Sequence, residues 1–141
     1  MEYFTHASIT IPMSEEAAQA VLNEHQRALS GDLAGTCFED WDDAEVDTAS
    51  NTVEVSAEED GVWLRSSQGF FDNQYAAALV SAHLEREGSG EVITWTYALT
   101  ASRPVPDAFG GGVVAVSAKA WTIIDASSMA EKAREQVIRE G

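Results

Sequence analysis

Cationic side chains are scarce in this chain. Only 8 Lys+Arg stand against 24 Asp+Glu, for a net charge of −16 over 141 residues. Nucleic-acid binders and proteins of anionic membranes need a basic face, so both classes are excluded as direct partners. There is 1 Cys, Cys37, which removes any intramolecular disulfide and any cysteine-cluster metal site. No run of apolar residues approaches the roughly 18–20 that a membrane span requires. The N-terminal residues lack a basic region followed by an apolar one, so no secretory signal is expected and the chain reads as cytoplasmic. Proline is also sparse, at 3, while 45% of residues are hydrophobic. That balance belongs to a folded globular chain rather than a disordered acidic tail, and its length suits one domain, 1–141.

Alternation and spacing supply the elements. Tyr3, Thr5, Ala7, Ile9 and Ile11 share one face of a period-two segment that Pro12 stops, which predicts a strand over 3–11. Ser14 caps a helix whose stripe is Ala18, Val21, Leu22, His25 and Leu29. Residues 33–50 read as a loop with one short helical turn. Residues 52–66 alternate on both sides of Glu58-Glu59-Asp60-Gly61, a hairpin with Gly61 expected at positive φ. Asp72 caps a second helix with the stripe Tyr75, Leu79, Val80, His83 and Leu84, closed by Gly88. Strands follow at 91–100 and at 113–124. Ser128 and Glu131 suggest a capping box for a final helix with Met129, Ala133 and Val137 facing inward. The order β-α-β-β-α-β-β-α predicts an α+β, two-layer domain: a mostly antiparallel five-stranded sheet with helices on one face.

Motifs for catalysis are few. His6, His25 and His83 fall in different elements, and none has a second histidine three or four residues away, so they read as residues completing apolar faces. Asp40, Asp42, Asp43, Glu45 and Asp47 have the acid density of a calcium loop. Counted from Asp40, however, the sixth and twelfth places hold Glu45 and Asn51 where an EF-hand needs Gly and Glu. Gly110-Gly111-Gly112 leads into a strand rather than a helix N-terminus, which points to a conformational role and not to phosphate binding. Cys37 has no basic neighbour to activate it, and no G-x-S-x-G is present. The expectation is a protein that is not an enzyme, with no cofactor and no metal.

The charge is concentrated. No Lys or Arg occurs between Arg27 and Arg65, whereas eleven acids do, from Asp32 to Asp60. Of these, Glu39, Asp40, Asp42, Asp43, Glu45, Asp47, Glu58, Glu59 and Asp60, together with Trp41, are the candidate partner-binding residues, with Phe38 as a second apolar anchor.

Trp95, Tyr97, Ser102, Arg103, Pro104, Asp107, Phe109 and Gly110 to Gly112 carry a resemblance to small acidic proteins of bacteriophages and plasmids. In these, an aromatic strand, a Ser-x-Pro segment and a glycine turn precede a final strand. The resemblance implies a mobile-element accessory protein acting in a host cell, of anti-CRISPR or anti-restriction type. Its partner would be a basic protein or nucleic-acid-binding complex of the host, engaged by an acidic surface in place of phosphates. The alternatives are an accessory or assembly protein whose acidity serves only solubility, and a small metal-dependent enzyme. A monomer or homodimer is expected.

Overall fold

The computed structural model describes residues 2–103 and 110–140. Pro104, Asp107 and Phe109 therefore lie outside the described residues. The strands are β1 (Tyr3–His6), β2 (Ser8–Pro12), β3 (Val53–Glu58), β4 (Gly61–Ser66), β5 (Ile93–Ala101), β6 (Gly110–Val116) and β7 (Trp121–Asp125). The helices are α1 (Glu15–Leu29), α2 (Asp43–Ser50), α3 (Asn73–Arg86) and α4 (Ala126–Glu140).

The α+β class and the antiparallel pairing agree with the sequence reading, but the expected five-stranded sheet does not form. The strands make two sheets, one in the order β1-β5-β6-β7 and the other β2-β4-β3. Two departures account for the difference. The first strand changes partner at Ala7: β1 pairs with β5 along one edge, and β2 pairs with β4 along the other. The expected strand over 113–124 folds back on itself at Ser117. The Ser117 N–H donates to the Ala120 carbonyl, and its hydroxyl oxygen accepts from Lys119 N–H and Ala120 N–H. A serine side chain thus builds a turn that contains neither glycine nor proline.

The element order also gains a helix. Residues 43–50 form α2 rather than a single turn, because the Asp42 carboxylate accepts the N–H groups of Ala44 and Glu45. Ser14 and Asp72 cap α1 and α3 as expected, accepting from Ala17 and Tyr75. The final helix starts at Ala126, and its cap is Asp125, which accepts the Ser128 N–H at 2.8 Å. Its expected inner face is not buried: Met129 is 47% and Val137 69% exposed, and no residue of α4 is buried.

One core joins the two sheets to α1, α2 and α3, with Phe38, Leu64, Tyr75, Leu79, Val114 and Val116 among its fully enclosed side chains. Two indole donors pin the start of α3 to the first sheet: Trp95 Nε1 to Asn73 at 2.9 Å and Trp121 Nε1 to Gln74 at 2.7 Å. Gly61 does not adopt positive φ. It is glycine because any Cβ there would collide with the Ile11 carbonyl of the neighbouring strand. Gly111 combines both constraints, with φ of 143° and backbone of Tyr97 and Ala98 against the place of its Cβ.

Candidate functional site

The acidic stretch is held by a buried polar cluster that anchors the irregular segment before α2. Glu24 of α1, only 8% exposed, accepts the Cys37 N–H at 2.9 Å and an Arg86 guanidinium N–H at 2.9 Å. Phe38 stacks parallel to Tyr75 at 4.5 Å, and Trp41 packs edge-on against Phe38 at 5.1 Å. Phe38 is 0% exposed, so it belongs to the core and is no anchor for a partner. Trp41 is half-buried and keeps part of its ring at the surface.

Behind this layer, His25 Nδ1 lies 2.6 Å from the Tyr75 hydroxyl. Burial lowers the His25 pKa to about 4 and raises that of Tyr75, so the pair is a neutral imidazole and a phenol. Burial, then the neighbouring Glu24 charge, pushes the Cys37 thiol well up, away from the thiolate a nucleophile needs. His83 is also buried, and its pKa is lowered by desolvation. Among the described residues, no group of three or more His, Cys, Asp and Glu side chains is placed to hold a metal ion.

The ten candidate residues do not form one surface. Asp40, Trp41, Asp42 and Glu45 line a shallow depression of about 400 Å³ that also includes Asp72 and Gln74 from the start of α3. Glu39, Asp43 and Asp47 are exposed on the same loop and helix. Glu39 is partly committed, accepting the Gly35 N–H at 3.3 Å. Glu58, Glu59 and Asp60 lie apart, at the tip of the β3–β4 hairpin, with Thr10, Gly61 and Trp63. The two groups line different depressions that share no residue. Asp72 was recognisable in the sequence only as a helix cap. Its place in the first group depends on α2 packing against α3, a contact that no local pattern encodes.

Ion pairing sorts the acids further. Among the described residues the salt bridges are Arg27–Asp32, Arg65–Glu54, Arg86–Glu24 and Arg134–Glu131. Arg65 also lies over the Trp63 ring at 3.9 Å. Among the described residues, none of the nine candidate carboxylates takes part in a salt bridge.

In comparisons with known proteins, the chain matches no family model, no curated protein and no solved structure. No helix among the described residues is long and apolar enough to cross a membrane.

Proposed function

We propose that this chain is a non-enzymatic accessory protein of a mobile element, which binds and modulates a basic, nucleic-acid-binding complex of its host. The binding surface is the acidic patch of α2 and the loop before it: Glu39, Asp40, Asp42, Asp43, Glu45 and Asp47, with Asp72 added and Trp41 as the apolar contact. One observation carries this reading: these carboxylates are exposed or half-buried and enter no salt bridge among the described residues. Clustered like charges repel one another, and a cationic groove that accommodates them relieves that repulsion. It also draws the chain in rapidly by long-range steering. The hairpin tip, which lines a different depression, is a second and separable contact.

The experiment is capture of host proteins on the immobilised chain at rising salt, with a charge-reversed variant beside it. Asp42 is left intact because it caps α2, so the variant is Asp40→Lys, Asp43→Lys and Glu45→Lys. Capture of a basic partner should fall as salt shortens the screening length from about 10 Å at 0.1 M, and should vanish for the variant. Undiminished capture by the variant would overturn the reading.

A second reading, assembly, is favoured by α4. Its exposed Met129, Val137 and Ile138 lie on a helix with balanced charge, unlike the rest of the chain. It predicts concentration-dependent self-association in sedimentation, lost on Val137→Glu and Ile138→Glu.

A further inference from the structure

The change of partner at Ala7 leaves two strands facing each other unpaired. In an antiparallel ladder, alternate residues direct their backbone N–H and C=O to opposite edges. Ala7 C=O accepts from Ser66 and Met13 N–H donates to Asp60. Ile9 and Ile11, of the same parity, therefore turn their backbone groups to β4, while Ser8 and Thr10 turn theirs away. Along β1 the Thr5 N–H goes to Gly69 C=O, so Phe4 and His6 serve β5, and that ladder ends at His6 opposite Ala98. Beyond it, Thr94 and Thr96 of β5 direct their backbone groups towards β2, with no ladder between the two strands.

The gap between them opens into a cleft of about 440 Å³. Its walls carry Ile9, Ile11, Leu84 and Ile93, and exposed Glu87 and Glu91 stand on its rim. His83 also lines it, is only 6% exposed, and its Nδ1 has no hydrogen-bond partner among the described residues. A buried ring nitrogen without a partner is uncommon, because leaving it so costs the full desolvation of that atom.

We propose that this cleft binds an extended peptide segment of a partner protein, which adds to the free edges of β2 and β5, seats an apolar side chain on Ile9, Ile11 and Leu84, and places a basic side chain beside Glu87 and Glu91. Open strand edges recognise peptides in this way: main-chain bonds give affinity, and side-chain pockets on alternate residues give specificity. The incoming chain supplies the missing partner of His83. The rim acids select a cationic peptide. This site is independent of the α2 patch.

The test is titration of the ¹⁵N-labelled chain with an acetylated, amidated heptapeptide alternating arginine and valine. The expected result is shifts at the amides of Ser8, Thr10, Thr94 and Thr96, and at the His83 ring. N-methylation of the peptide at alternate residues should weaken binding at least about tenfold, by removing main-chain bonds. Glu87→Gln with Glu91→Gln should weaken it about fivefold, since both acids are exposed. The α2 charge-reversal variant should bind the peptide as the parent does, so this site and the acidic patch are judged separately. Shifts confined to residues 39–47, equal binding of the N-methylated peptide, or cleft amides already protected by dimerisation would each overturn the proposal.

Discussion

Acidification should expose the buried His25–Tyr75 pair. In the folded chain the His25 pKa lies near 4, and in the unfolded chain it returns to about 6.5. The folded pKa is depressed, so the unfolded state takes up the proton first. The contribution of His25 is therefore complete above about pH 6.5, declines as pH falls, and is exhausted near pH 4. A displacement of about 2.5 units at 1.36 kcal/mol each is about 3 kcal/mol, a large part of a small domain's stability. Asp32 and Asp125, whose pKa values are lowered by hydrogen bonds from Arg27 and Ser128, lose their contributions only below their ordinary value of 3.8. Their window therefore lies beneath that of His25. His83 titrates in the same direction as His25, so the comparison must be with His25→Asn, whose side-chain oxygen can take the Nδ1 position and keep the Tyr75 bond. Urea unfolding at half-unit steps from pH 7.5 to 4 should give a wild-type curve that falls about 3 kcal/mol relative to the variant's. Parallel curves across that range would refute the assignment of a buried neutral imidazole at this position.

Two further substitutions test the local arguments. Asp42→Ala should cost about 1 kcal/mol in denaturant unfolding and reduce the helical circular dichroism of α2, because the N–H groups of Ala44 and Glu45 lose their acceptor. Gly61→Ala should destabilise by more than about 2 kcal/mol, since its methyl would overlap the Ile11 carbonyl in a paired strand, where neither backbone can yield without breaking the ladder. A neutral effect at Gly61 in thermal melts would mean that the β2–β4 register is wrong.

Local signals carried the sequence reading well where the physics is local. Ser14 and Asp72 started α1 and α3 because a capping oxygen acts on the next three residues, and Gly88 ended α3 with φ of 61° as its position implied. The 52–66 hairpin followed from alternation. Partner choice was not legible. Nothing in the alternation of 3–11 says that its two halves are paired on opposite edges, because that depends on where β4 and β5 arrive from sixty and ninety residues away. The turn at Ser117 was hidden because its geometry comes from a serine hydroxyl rather than from glycine or proline. On α4, spacing marked an apolar stripe correctly, but spacing cannot say whether anything lies against it. The acidic residues were identifiable as a class. Their division into a helix-side group and a hairpin-tip group follows from the tertiary fold, which sets them in two depressions sharing no residue.

The shared opening strand also orders how the chain can assemble as it is made. The β2-β4-β3 ladders need no strand beyond residue 66, but this sheet and α1 close their core only when α3 supplies Tyr75, Leu79 and Leu84. The other sheet needs Tyr3–His6 to wait, bare along one edge, until Ile93–Ala101 emerges about ninety residues later. The longer that interval lasts, the longer a half-built chain persists with an unsatisfied strand edge, the feature through which sheets pair with the wrong chain.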